Sequence, residues 1–294
     1  MHKILWQGLQ AANKRFCRYP VLRDLLAAGD FEAGKTHILA IGKAAQKMAY
    51  VAHKALPAQR LGTCMVLTKY GFYPENVSET QFCQILEAGH PVPDAASICS
   101  TGTIIKHLQG LPPEDELVIL LSGGSSALFE LPKEGKTLAD IIGLNRLLLS
   151  SGLDIAQMNA RRREYSMVKG GKALDYVSCN IRGVYLLSDV PENDPQVIGS
   201  APFWREDLPH HIVGDLAGYL KCLRAEYKKL YTGHVYLSQR YISEDLGQIA
   251  RHIVQLAHKA APGIYLCGGE ALLKRKAVGK GGRCSHLALL IAKA

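Results

Sequence analysis

Residues 117–128 read Leu-Val-Ile-Leu-Leu-Ser-Gly-Gly-Ser-Ser-Ala-Leu, and this stretch decides the fold class. Five apolar residues in a row have the length of a buried strand, and the small-residue turn behind them ends it. Outward in both directions the scheme repeats. Toward the N-terminus, residues 37–41 form a strand, Gly42-Lys43 a turn, and residues 44–56 a helix stopped by Pro57. Residues 64–68 and 84–88 are further strands, and Asp94 is placed to cap a helix running to about residue 108. An opening helix over 3–16 puts Ile4, Leu5, Leu9, Ala12 and Phe16 on one face.

Toward the C-terminus, Thr137-Leu-Ala-Asp140 makes a loose capping box for a helix ending at Ser151-Gly152. Asp154 starts another that reaches Arg163, and residues 183–187 form a strand opening into the acidic loop 188–202. Residues 234–237, 243–259 and 264–267 then read strand, helix, strand. Alternating strands and helices imply an α/β fold of mostly parallel, Rossmann-like sheets with helices on both faces. At 294 residues the chain is about twice the usual domain size, so two domains are expected. The division falls at 1–230 and 231–294, with 227–233 as the linker.

Composition narrows the function classes. The chain is 48% hydrophobic and 21% charged, which suits a globular protein with a large core. Its 35 Lys and Arg against 26 Asp and Glu leave a net charge of +9, which favours anionic partners. No apolar run approaches the roughly 20 residues needed to span a bilayer. The opening Met-His-Lys-Ile-Leu-Trp-Gln meets polar residues too soon for a signal-peptide core. None of the eight cysteines lies within ten residues of another, so metal or redox spacing is absent. Buried thiols in a cytoplasmic protein are the expectation.

In open α/β sheets ligands bind beyond the carboxyl ends of strands, and four such ends carry polar or glycine-rich turns. Lys43, between a strand and a helix N-terminus, suits a phosphate or carboxylate, with a plain surface lysine as the alternative. Ser122-Gly123-Gly124-Ser125-Ser126 lets backbone approach an anion and adds three hydroxyls, more small residues than a plain strand-to-helix turn needs. Neither a Walker A loop nor a Gly-x-Ser-x-Gly elbow is matched. Asp189, Glu192 and Asp194 could hold Mg²⁺ or accept a proton, or could form a solvated loop shaped by two prolines. Gly268-Gly269-Glu270, followed by Lys274-Arg275-Lys276 and residues 279–283, could clamp a polyphosphate or be an exposed basic hairpin.

His90, in Gly89-His-Pro-Val-Pro-Asp94, is alone more often a hydrogen-bonded structural residue than a base. The basic patch of Arg161-Arg-Arg163 and Lys169-Gly-Gly-Lys172 lacks interleaved aromatics, so it suits small anions at least as well as nucleic acid.

Taken in order, these segments resemble the class II glycerate kinases. The resemblance runs through residues 38–45, 88–94, 121–128, 159–161, 168–171, 188–191, 194–202 and 268–270 with 281–283. It implies two α/β domains with the active site in the cleft between them, the second of the MOFRL type. It also implies transfer of the γ-phosphoryl of ATP, with Mg²⁺, to the 2-hydroxyl of D-glycerate, giving 2-phosphoglycerate. Some members are labelled hydroxypyruvate reductases, but no Gly-x-Gly-x-x-Gly follows a strand here.

By the same resemblance Lys43 is the catalytic lysine, with Arg283 opposite it to stabilise transition-state charge. The 122–126 turn and Lys169 would bind phosphates. His90, Arg161 and Glu270 would contact substrate, and Asp189 and Asp194 would hold the metal, with Asp189 also able to take the hydroxyl proton. A homodimer is a further expectation.

The chain departs from the family in places. Cys284-Ser285-His286 stands where Asn-Gln-Glu is usual, Pro191-Glu-Asn-Asp194 replaces Pro-Gly-Asp-Asp, and Ala201 replaces a glycine. Arg161-Arg-Arg163 stands where Val-Arg-Lys or similar is usual. A Thr-Asp-Gly-x-Asp-Gly-Pro-type loop is absent before Ala294, as in a fragment or a shortened homologue. The alternative function is therefore a non-catalytic homologue binding a small phosphorylated or carboxylated ligand. Nucleic-acid binding rests only on the +9 charge.

Overall fold

The computed structural model describes residues 1–29, 34–72, 81–150, 155–271 and 282–293. They divide into two compact units, one of Cys17–Asp215 and one of Met1–Phe16 with Leu216–Ala294.

The larger unit is built on β1 (Thr36–Ile41) and β4 (Glu116–Leu121), central strands buried at every position. Around them lie β2 (Leu61–Lys69), β3 (Gln84–Ala88), β5 (Asn180–Leu187) and β6 (His210–Gly214). The six form one parallel sheet in the order β3-β2-β1-β4-β5-β6. Strand periodicity sends alternate side chains to opposite faces. Leu39, Ile41, Leu117, Ile119 and Leu121 pack in one core with Ile104, Ile105 and Leu108 of α4 (Ala95–Gln109). Ile38, Ala40, Val118 and Leu120 pack in the other with α2 (Pro20–Ala27) and α3 (Ala45–Ala55). Each Leu, Ile or Val side chain so taken from water stabilises the fold by about 1.5–3 kcal/mol. The expected α/β class with parallel strands and helices on both faces is what the sequence builds.

Along this unit, α5 (Ser125–Leu128) is a single turn after β4, and α6 (Leu138–Ser150) and α7 (Ile155–Tyr165) follow. The Thr137–Asp140 box forms as expected, with Asp140 Oδ2 accepting from the Thr137 amide at 2.7 Å. Asp154 lies outside the described residues.

The smaller unit pairs α1 (His2–Phe16) with α8 (Leu216–Leu230) over the parallel strands β7 (His234–Ile242) and β8 (Gly263–Gly269). Further along it come α9 (Leu246–Lys259), capped by Asp245, and α10 (Arg283–Lys293). The boundary is thus at 215/216, and the first helix joins the C-terminal unit, in place of the 230/231 division read from sequence. The physical reason is the tight fit of α1 on α8. A Cβ on Gly8 would lie 2.2 Å from the Tyr227 ring, whose hydroxyl donates to the Leu5 carbonyl at 2.8 Å. Arg15 pairs with Glu226 at 3.0 Å. Tyr227 is therefore a buried helical residue and the 227–233 stretch is no linker.

All eight cysteines are free, and only Cys64 is buried, so the expectation of buried thiols fails for the rest. No described helix is long and apolar enough to cross a membrane. Gly8→Val overpacks the α1–α8 contact, and its expected cost is about 1–3 kcal/mol, read by denaturant unfolding. A variant as stable as the parent would show that this contact does not hold α1 in place.

Candidate functional site

The strand order reverses between β1 and β4, and such switch points are where α/β sheets receive ligands. The turns after these strands are built as one piece. Gly42 has φ of +125°, and a Cβ there would lie 2.2 Å from Ser122 Oγ and 2.5 Å from the Ser122 carbonyl oxygen. Only glycine fits. The Lys43 amide donates to the Gly123 carbonyl at 3.0 Å, and the buried Ser122 hydroxyl accepts from the Ala44 amide at 3.1 Å, where α3 begins.

Lys43, His90 and Asp189 meet on the two glycines of the second turn. A Cβ on Gly123 would lie 2.1 Å from Asp189 Oδ2 and 3.4 Å from Lys43 Cε. One on Gly124, at φ +94°, would lie 3.0 Å from His90 Cδ2 and 3.3 Å from Lys43 Cγ. The glycines are absent side chains whose space the three polar residues occupy. Among the described residues, neither the Gly123 nor the Gly124 N–H has a hydrogen-bond acceptor. Unpaired amides beside a lysine, at the start of a helix, suit an anion.

Each polar residue is aimed by its own strand end. His90 follows β3 in a loop closed by Asp94, which accepts from the Gly89 amide at 3.1 Å and caps α4 through the Ser97 amide at 2.9 Å. Burial alone would raise the Asp94 carboxyl, but hydrogen bonds from Tyr70, Ser97 and Gly89 outweigh it and hold it below its ordinary range. His90 is held below the usual imidazole value by burial first, then by the charges of Lys43 and Lys69, with Asp189 opposing them. Lys69 ends β2 and adds to the positive field here; sequence reasoning missed it, although it directly follows the 64–68 strand.

Other expected site residues lie elsewhere. Lys169 is 1% exposed, with its ammonium 2.6 Å from Glu130 Oε2 and 2.8 Å from the Ser126 carbonyl, so it is not placed to bind a phosphate. Arg161 is exposed and pairs with Glu164, while its neighbour Arg162 reaches Asn159 and Asn145. Asp194 closes a turn by accepting from the Gln196 amide at 2.8 Å. Among the described residues no three His, Cys, Asp or Glu side chains converge as a metal cage. In the smaller unit Arg283 forms an ion pair with Glu270 and donates to the Ala271 carbonyl at 3.0 Å. Lys274, Arg275, Lys276 and residues 279–281 lie outside the described residues.

Residues 2–213 match the family described as a domain of unknown function, DUF4147. The chain belongs to the DUF4147 family. This DUF4147 chain is 39% identical over 167 residues to a D-glycerate 2-kinase of Thermotoga maritima, a match covering 57% of the chain and 39% of the relative. It is 38% identical over 172 residues to a glycerate 2-kinase of Pyrococcus horikoshii, covering 58% and 37%. The match therefore spans less than half the length of these curated relatives. The crystal structure of a glycerate kinase from Thermotoga maritima superposes with a TM-score of 0.77 at 26% identity, over 99% of this chain and 78% of that one.

The Lys43–His90–Asp189 arrangement has a direct readout by NMR. His90 should titrate below the usual 6.5 and remain neutral at pH 7. Because the neutral form is favoured in the folded state, protonating His90 costs stability as pH falls through 6.5 and below. Lys43→Ala should move the midpoint up and Asp189→Asn should move it further down. A midpoint indifferent to both would separate these residues.

Proposed function

We propose that this chain acts as a glycerate 2-kinase, transferring the γ-phosphoryl of ATP to the 2-hydroxyl of D-glycerate with Mg²⁺. The observation that carries the reading is the convergence of Lys43, His90 and Asp189 on the Gly123-Gly124 turn at the sheet's switch point. The kinase names of the relatives support it.

Phosphoryl transfer leaves a protein little covalent chemistry and asks mainly for positioning and charge neutralisation. The Lys43 ammonium and the free amides of Gly123 and Gly124 do this for the phosphate oxygens. Neutral His90 offers an unprotonated ring nitrogen to a substrate hydroxyl at neutral pH. Mg²⁺ is commonly held by one or two carboxylates together with substrate phosphates, and the exposed Asp189 beside the turn fits that mode without a cage. When bound, the ion would neutralise phosphate charge. Asp194, committed to its turn, is a poorer partner for it. Within the smaller unit, Arg283 is engaged by Glu270.

That pairing, together with Cys284-Ser285-His286 behind Arg283, favours a second reading in which the protein binds its ligand without turnover. A coupled assay with ATP, Mg²⁺ and D-glycerate separates the two. Turnover is expected, falling about 10²–10³-fold in Lys43→Ala, as for loss of one transition-state donor. Thermal stabilisation by ATP or D-glycerate without ATP consumption would establish the binding reading instead. Turnover undiminished in Lys43→Ala would overturn the assigned site.

A further inference from the structure

Behind the 122–126 turn lies an ion pair that the site does not use directly. The last carbonyls of a helix have no partner within it, and one buried ammonium takes that of Ser126 in the single-turn α5 and that of Phe129 just past it. Lys169 Nζ donates to the Ser126 carbonyl at 2.8 Å and to the Phe129 carbonyl at 3.4 Å, and pairs with Glu130 Oε2 at 2.6 Å. An ammonium has three donors, so none remains for a ligand. Glu130 is tied in turn, its Oε1 accepting from the Leu131 amide at 3.1 Å and its own amide donating to Thr101 of α4 at 3.0 Å. Both side chains are at most 3% exposed.

The segment carrying Lys169 also grips the neighbouring turn. The Gly170 and Gly171 amides donate to the Ser200 and Ala201 carbonyls at 3.0 and 2.7 Å. Gly199, Ser200 and Ala201 are three successive residues in the left-handed region, with φ of 61°, 63° and 54°. Conformations of this kind persist only where surrounding structure imposes them. Here they press Gly199 onto Ser125, where a Cβ would lie 2.1 Å from Ser125 Oγ. Ser200 Oγ lies 2.8 Å from Ser126 Oγ and donates to Asn159 Oδ1 at 3.0 Å. The second half of the glycine-serine turn is thus held from behind by Lys169 and from the side by residues 199–201.

A buried ion pair is a weak stabiliser, because desolvation offsets the attraction and apolar residues of similar volume often serve as well. Stability does not account for this one. What the pair alone accomplishes is to draw the carbonyls of Ser126 and Phe129 to one point. We propose that Lys169 and Glu130 are positioning residues, a buried strut that fixes the 122–126 turn so that the Gly123 and Gly124 amides stay presented to an anion. The catalytic consequence rests on the kinase reading above, whereas the mechanical one does not.

The test is the double variant Lys169→Met/Glu130→Leu, which removes both charges together. It should fold, with a thermal midpoint near the parent's. By hydrogen exchange, the Ser125, Ala127, Leu128 and Phe129 amides, which are hydrogen-bonded within the turn, should exchange about tenfold faster or more, while amides 118–120 of β4 keep their protection. In the kinase assay KM for ATP should rise about tenfold. Unchanged exchange at Ser125, Ala127, Leu128 and Phe129 in the folded variant overturns the strut, and so does an equal loss of protection in β4, which would make the pair a global stabiliser. If the double variant does not fold, Glu130→Gln, which keeps the side-chain shape, is read on the same amides with the same two outcomes. A parent protein without turnover would count against the kinase reading and leave the exchange result to decide the strut.

Discussion

The contact on which the rest depends is Gly42 against Ser122. Two adjacent parallel strands, β1 and β4, end side by side, and their turns must diverge to feed different helices. They can do so only because Gly42 has no Cβ where Ser122 stands and tolerates a positive φ. From that close approach follow the Lys43–Gly123 backbone bond, the Ser122 cap on α3, and the seat of Lys43 over two glycines. A larger residue at Gly42 would part the turns and remove the site with them.

Charge at the sheet's carboxyl edge is distributed with a clear division. Lys43 and Lys69 sit where their fields reach His90, while Lys169 is spent inside on Glu130 and two carbonyls. Each of these lysines closely follows apolar residues in the sequence, Ile41 before Lys43, Val66-Leu67 before Lys69 and Met167-Val168 before Lys169, and nothing local distinguishes them. Arg161 and Arg162 make the same point on one helix. Adjacent residues of a helix point about 100° apart, so one is solvated with Glu164 and the other is drawn onto Asn159. The net charge of +9 therefore overstates what is available to a ligand.

The smaller unit has a different economy. Its two parallel strands bury Val235, Ile264 and Leu266 under α8, and this cover is completed by α1 from the other end of the chain. Tyr227 over Gly8 is the join. A short sheet with one face to protect needs that second helix, which explains why residues 1–16 pack apart from the residues that directly follow them.

Local pattern determined the elements of the larger sheet. Apolar runs 37–41, 64–68, 84–88 and 117–121 each became a strand, and Asp94 and Thr137 cap as their side chains predict, because strand periodicity and capping act over a few residues. The glycine-serine turn was legible as a candidate site for the same reason, and Lys43, His90 and Asp189 stand on its two glycines. Strand β6 and helix α8 were not foreseen, since neither carries a strong turn or run signal and both are fixed by what they pack against. Only tertiary structure decided that α1 belongs with α8, that Lys169 is buried while Lys43 is exposed, and that Asp189 rather than Asp194 reaches the glycines. Each of these is a contact between residues far apart in the chain, and side-chain chemistry alone does not reveal which of several equivalent lysines or carboxylates the fold will bury.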